Sequence, residues 1–277
     1  MPTKNARMRF AEIASLDEDQ ISLAEAALLI AAEEYPRLDI QAYLDKLDSF
    51  ADLARDPAAE ARDALDIISA INVTLYERLG FHGNRESNYD PRNSHLNEVI
   101  DRRTGIPITL AVVYIEVAGR IGFPVKGVGM PFHFIAKHEA DGGDIFIDPF
   151  NEGRVLDTTS CAELITQMSG GSLELQPEHL EGVTKKQILT RMLSNLLGIY
   201  ARNDHRRALA AVERILLINP DSAPHVRDRG LLLASVGDRT AAMAELERYL
   251  QLAPDAADFD TVREQISSIL RNQARLN

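Results

Sequence analysis

The chain has 277 residues and one cysteine, Cys161. A single thiol cannot build an internal disulfide framework, and its scarcity fits a reducing compartment. No apolar run approaches the roughly 20 residues that a membrane-spanning helix needs. The opening MPTKNARMRFAEIASLDEDQ lacks the apolar segment of a signal peptide. These absences predict a cytoplasmic protein with no membrane partner. Metal-ligand spacings are missing as well: there is no His-Glu-x-x-His and no paired cysteine. His133 and His138 lie five apart on one predicted strand and so face opposite sides. Gly127 and Gly129 sit between strand-like residues without a following helix, so they form no phosphate-cradling loop. No metal and no cofactor is expected. Basic charge is scarce in the first part of the chain. Before Val183 there are 16 Lys+Arg against 31 Asp+Glu, and from Val183 onward 14 against 11, within a net charge of −12. An acidic body repels phosphate backbones and disfavours nucleic acid as a partner. The excess reads as a solvated surface, as does the basic run His205-Arg206-Arg207.

What is present centres on 103–150. Gly105 precedes an apolar stripe at Ile108, Ala111, Val112, Ile115 and Ala118, which keeps helical spacing. Pro107 suits a first helical turn, where no N–H partner is needed. Gly122 and Pro124 end the helix. The runs VKGVGMPFHFIAKH and DIFIDPF follow, joined by the turn Glu139-Ala-Asp-Gly-Gly143, and read as a hairpin. His133 and Asp148 lie on opposite arms with their midpoint inside the turn. They are expected to be cross-strand neighbours on one sheet face, within a register step.

The segments around this centre read as helices and loops. Ile21, Leu23, Ala24, Ala27, Leu28 and Ala31 form one apolar stripe. Ile40, Tyr43, Leu44, Leu47 and Phe50 form a second, with Asp39 as N-cap. Asp56-Pro57 is expected to separate a third helix, with Leu65, Ile67, Ile68, Ile71, Leu75 and Tyr76 inward. The polar stretch 81–94 has no period and reads as a loop, either a connector or a cover over a site. Ser94 is read as the cap of a helix through Leu96, Val99 and Ile100 to Arg103. After Phe150 come a short strand to Leu156 and a helix capped by Thr159 or Ser160, broken at Gly170-Gly171.

From Thr184 the pattern is helical and repeats at an offset of 34. Asn219-Pro220-Asp221 recurs as Ala253-Pro254-Asp255. Asp204 matches Asp238, Ala208 matches Ala242, Ala210 matches Ala244, Glu213-Arg214 matches Glu247-Arg248, and Leu216 matches Leu250. This period, with proline ending each second helix, is the tetratricopeptide signature. So few repeats do not readily form a free solenoid. They are expected to dock on the preceding domain, with the helix Phe259 to Ala274 as cap.

A helix start, a strand His and a strand Asp follow the order of parts in Cys-His-Asp hydrolases and acyl transferases. There the helix dipole lowers a thiol pKa, the His takes its proton, and the Asp orients the His. Gly105-Ile-Pro107…Ala111, Gly122-Phe-Pro124, Gly129-Met-Pro-Phe-His133 and Ile147-Asp-Pro149 resemble a transglutaminase-like core in all but the nucleophile. The position of the family's Cys falls on Pro107, and the one hydroxyl in that turn is Thr109. Cys161 follows the Asp strand, whereas the family's thiol precedes the His. With Gly80-Phe81-His-Gly-Asn84…Tyr89…Asn93-Ser94, the helical leader and the terminal repeats, the chain resembles the bacterial SirB-type proteins. Some eukaryotic F-box proteins carry a similar core.

The resemblance implies an α+β fold. It comprises a helical leader and a papain-like helix-plus-antiparallel-sheet core over 1–182, then an all-α tetratricopeptide repeat region over 183–277. It implies a retained cleft with altered or lost chemistry. The candidate residues are His133, Asp148 and Thr109 for catalysis and Asn84, Tyr89, Asn93 and Ser94 for binding. Two functions stay open. One is a binding module without the catalytic cysteine, recognising a protein or peptide through the repeats or the cleft. The other is a hydrolase or acyl transferase that uses His133–Asp148 with Thr109 or a water.

Overall fold

Pro107 opens a helix that runs to Arg120, and the first part of the chain is built around it. Ala111, Val112, Tyr114, Val117 and Ala118 are wholly buried. A helix apolar on nearly every side must be covered on nearly every side, and the preceding helices and the following strands supply that cover. Val112 and Val117 each contribute about 1.5–3 kcal/mol of transfer free energy by full burial, and the alanines less. The computed structural model describes residues 2–86 and 89–274.

In chain order the leader consists of α1 (Pro2–Ala14), α2 (Leu23–Ala31), α3 (Ile40–Ala59) and α4 (Ala64–Asn72), the last running into a π-helical turn over Val73–Arg78. Ser22, Asp39 and Asp63 cap α2, α3 and α4 by accepting from the amides of Glu25, Ala42 and Asp66. Pro57 does not end α3, which continues to Ala59. The proline lies near the C-terminus, and its lost hydrogen bond falls on Leu53, an exposed residue. Leu65, expected inward, is 52 % exposed, while Ile68, Ile71 and Leu75 are buried.

The described residues of the stretch 81–94, namely 81–86 and 89–94, are more than a plain loop, and 87–88 lie outside the described residues. The stretch holds β1 (His82–Gly83) and a 3-10 turn over Pro91–Ser94. Then come α5 (Leu96–Arg102), β2 (Thr104–Gly105) and α6 (Pro107–Arg120). β1 pairs in parallel with β2, Gly83 opposite Gly105. Glu116 of α6 accepts the Ala24 amide at the start of α2 (3.0 Å) and pairs with Arg120, which reaches Asp48 of α3 (2.6 Å).

The sheet follows: β3 (Lys126–Val128), β4 (Ile135–Ala140), β5 (Gly143–Asp148), β6 (Arg154–Leu156), then α7 (Thr158–Met168), β7 (Gly182–Val183) and α8 (Lys185–Tyr200). Its order is β6-β5-β4-β3-β7, antiparallel throughout. The run read as one strand, VKGVGMPFHFIAKH, is two strands joined by a turn at 131–132. The β4–β5 turn is only Asp141-Gly142, since Ala140 pairs with Gly143. Asp-Gly is the pairing that a two-residue hairpin turn favours. Val128, Met130, Ile135, Phe146 and Leu156 form one core with Cys161 and Ile165 of α7. The cap of α7 is Asp157, which accepts the Ser160 amide at 2.7 Å, and not Thr159 or Ser160.

The chain divides into two units, Met1–Met192 and Leu193–Asn277. The division falls within α8, later than the 182/183 boundary read from the sequence, because Gly182 and Val183 pair with β3. The second unit continues with α9 (His205–Ile218), α10 (Ala223–Val236), α11 (Arg239–Leu252) and α12 (Phe259–Ala274). The repeat offset is visible in its caps: Asp204 accepts the Arg207 amide and Asp238 the Ala241 amide, both at 3.1 Å. A Cβ at Gly230 of α10 would come within 2.8 Å of Leu246, so glycine permits the close approach of α10 and α11. Ala208 and Ala242 are wholly buried at equivalent positions, whereas Ala244 is exposed. Ala242→Trp is therefore expected to cost about 1–3 kcal/mol by overpacking, and Ala244→Trp far less. Equal melting temperatures for wild type and Ala242→Trp would contradict this register.

Candidate functional site

Asp148 ends β5 and caps the 3-10 turn Pro149–Asn151. Its Oδ1 accepts the amides of Phe150 (3.1 Å) and Asn151 (3.3 Å). Its Oδ2 accepts from Asn151 Nδ2 (2.7 Å) and lies 3.0 Å from His133 Nε2. Both side chains are buried, Asp148 completely. Burial disfavours the Asp148 charge, but the hydrogen bonds from His133 and Asn151 outweigh it and hold the carboxyl below its usual value. His133 lies just before β4, not within it, and reaches Asp148 from that turn. The other ring nitrogen, Nδ1, is buried without a protein partner among the described residues. The charge of Asp148 also acts on Tyr76. Burial first, then Tyr114, Asp148 and Glu152, raise its phenol well above the usual value.

The turn that carries His133 is held from outside. Arg191 of α8 donates to the carbonyls of Met130 (3.2 Å) and His133 (2.8 Å). Phe132, between them, has φ +62 and a 60 % exposed ring. A non-glycine residue in this region costs about 1–2 kcal/mol, and the two Arg191 bonds restrain the carbonyls on either side of it.

Phe150 connects this pair with the start of α6. Its ring meets the His133 ring edge-on, centroids 6.0 Å apart at 85°. On the β1 side a Cβ at Gly83 would come within 2.6 Å of the Phe150 ring, so only glycine fits there. Gly83 in turn pairs with Gly105, just before α6. Thr109, in the first turn of that helix, is wholly buried. Its hydroxyl donates to the carbonyl of Asn93 (2.8 Å), lies 3.1 Å from the Ile106 carbonyl, and accepts the Ile106 amide (3.1 Å). Asn93, also buried, accepts from Asn84 Nδ2 (3.2 Å) and Arg102 (3.3 Å). The Asn84 amide reaches the Gly105 carbonyl at 2.9 Å. Asn84, Asn93 and Thr109 are thus one bonded group that fixes the entry to α6. Ser94 lies buried at the end of its 3-10 turn and does not cap α5, whose N-cap is His95. Tyr89 presents its ring to solvent.

Cys161 packs in the α7 core, where burial, then the charges of Asp157 and Asp148, push its thiol up to about 11. Among the described residues no group of three or more His, Cys, Asp or Glu could hold a metal ion. No described helix is long and apolar enough to cross a membrane. Sequence reading missed Asn151, Phe150, Arg191 and Arg85. Asn151 was within reach, because a side-chain donor two residues beyond Asp-Pro can fold back on the Asp.

Residues 41–194 match the transglutaminase-like superfamily, and residues 196–267 match the tetratricopeptide repeat. The chain belongs to the transglutaminase-like superfamily. A UPF0162 protein of Xylella fastidiosa is 39% identical over 255 residues, 91% of each chain. A UPF0162 protein of Pseudomonas aeruginosa is 30% identical over 246 residues, 88% of this chain and 89% of its own. F-box only protein 21 of Homo sapiens is 34% identical over 144 residues, 49% of this chain but 22% of its own. In this transglutaminase-like chain the residue that opens α6 is Pro107, which offers no nucleophile.

The depressed Asp148 pKa makes a pH prediction. Its folded value lies below the unfolded value of about 3.9. The stabilisation is therefore complete above about pH 4 and is lost as pH falls through the folded value. In urea titrations the stability gap between wild type and Asp148→Asn is expected to be wide at about pH 7 and to narrow below about pH 4. A gap that stays constant down to about pH 3 would contradict a charged, bonded Asp148.

Proposed function

We propose that this chain is a recognition module that acts in the cytoplasm. In this reading a transglutaminase-like cleft holds a protein or peptide without turning it over, and the tetratricopeptide unit offers a second protein-binding surface. The supporting observation is that both possible nucleophiles are already committed. The Thr109 hydroxyl both accepts the Ile106 amide and donates to a buried carbonyl. A hydroxyl consumed in this way lacks the freedom to attack a carbonyl. The Cys161 thiol is buried and pushed up to about 11, the reverse of an activated thiolate. The exposed ring of Phe132 beside His133 is the kind of aromatic that peptide interfaces use.

One observation favours a second reading. His133 Nδ1 has no protein partner among the described residues, and its ring is oriented by an ionised Asp148. That arrangement suits a general base for a bound water. Two measurements separate the readings. p-Nitrophenyl acetate, and a glutamine peptide offered with an amine, are expected to react equally slowly with wild type and His133→Ala. Hydrolysis at least tenfold above the His133→Ala rate, unaffected by thiol alkylation, would establish the water-dependent hydrolase instead. In parallel pull-downs, a partner retained by wild type and lost by His133→Ala would place recognition at the cleft.

A further inference from the structure

The loop after β1 carries two arginines with different fates. Arg92 is closed on Asp90, its fork spanning both carboxylate oxygens at 2.7–3.0 Å. Arg85 is exposed and has no carboxylate within ion-pair distance among the described residues. Its Nη2 donates instead to Asn151 Oδ1 at 2.6 Å, and its guanidinium carbon stands 5.8 Å from the centre of the Phe150 ring. One donor and one face are used, and the remaining N–H groups have no protein partner described. A guanidinium held by an amide and an aromatic ring loses little entropy when it binds.

Asn151 is the same residue that holds Asp148. Arg85 donates to Asn151 Oδ1, Asn151 Nδ2 donates to Asp148 Oδ2 at 2.7 Å, and Asp148 Oδ2 lies 3.0 Å from His133 Nε2. Phe150 follows the same path, since its ring touches both the Arg85 guanidinium and the His133 ring. The exposed cation therefore stands at the outer end of a bonded chain whose inner end is His133.

We propose that Arg85, seated on Asn151 and Phe150, anchors a carboxylate of the peptide that the cleft holds. The planar fork matches the two oxygens of a carboxylate. A phosphate dianion fits less well, because Glu86 and Glu152, the chain neighbours of Arg85 and Asn151, are exposed acids and no second cation is bonded there among the described residues. The carboxylate belongs either to an acidic side chain or to a chain terminus. This inference rests on the recognition reading above and adds the chemistry of the ligand.

The test uses the full chain and three probes: acetyl-Ala-Glu-Ala-amide, its Gln counterpart, and acetyl-Ala-Ala-Ala with a free terminus. Binding is followed by the NMR signals of the Arg85 Nε–H and the Asn151 side-chain amide. A carboxylate probe is expected to shift both signals saturably, while the Gln peptide leaves them in place. A preference between the two carboxylate probes identifies the source. Arg85→Gln is expected to weaken that binding at least tenfold, and Arg92→Gln by less than twofold, with both variants melting like wild type. Equal binding of the Gln peptide, unchanged affinity in Arg85→Gln, or no saturable shift with either carboxylate would overturn the proposal. Ester turnover by wild type would overturn the recognition reading and leave a measured carboxylate preference standing.

Discussion

The carboxylate of Asp148 is the contact on which this end of the first unit depends. It is wholly buried, and a buried charge is tolerated only when it is paired and hydrogen-bonded. Here it is bonded on both oxygens, to His133, to the Asn151 side chain and to two backbone amides. These bonds end β5, turn the chain at Pro149–Asn151 and set the Phe150 ring against Gly83. Gly83 pairs with Gly105, so the same turn is linked to the start of α6. Removal of the carboxylate would leave a buried imidazole and a turn without its cap. Such losses typically cost about 1–3 kcal/mol for each unsatisfied group.

The start of α6 has two competing uses. In an acyl-transfer enzyme the first turn carries a nucleophile, activated by the helix dipole. In this chain the turn is built for stability. Pro107 takes the position where an N–H would be idle. Thr109 satisfies the Ile106 amide and ties the helix to Asn93 of the preceding loop. That loop, through Asn84 and Arg85, reaches both Gly105 and Asn151. The His–Asp pair is bonded through Nε2, and Nδ1 has no protein partner among the described residues. The proposal of a cleft that recognises without reacting follows from that combination.

Much of this architecture was legible in the sequence because the signals are local. Pro107, Gly122 and the apolar spacing between them delimit α6. The 34-residue offset marks the repeat, and the glycine-containing run 139–143 marks the hairpin, whose turn is narrower than that run. Hairpin symmetry brought His133 near Asp148, but not as cross-strand neighbours: with Ala136 opposite Ile147, His133 sits before the strand and reaches the carboxylate from its turn. What was not legible depends on partners distant in the chain. β7 is two residues long and exists only because β3 offers an edge. α1 buries a narrow face, Phe10, Ile13 and Ala14, among charged neighbours. Arg191 reaches the His133 turn from α8, and no spacing announces that contact. Ser94 failed as a cap because the chain makes a 3-10 turn there first, which passes the N-cap position to His95.

Phe150, Gly83 and Gly105 link the His133–Asp148 pair to the start of α6, and we propose that the pair faces that helix start and lacks only a nucleophile there. Restoring a thiol there tests it most directly. Pro107→Cys in a Cys161→Ala background places one sulfur at the helix start, and its alkylation rate by iodoacetamide is followed against pH. The expected result is a thiol pKa well below the ordinary value of about 8.5, raised toward that value when His133→Ala is added. A thiol that titrates near about 8.5 and reacts at the same rate with and without His133 would contradict the claim.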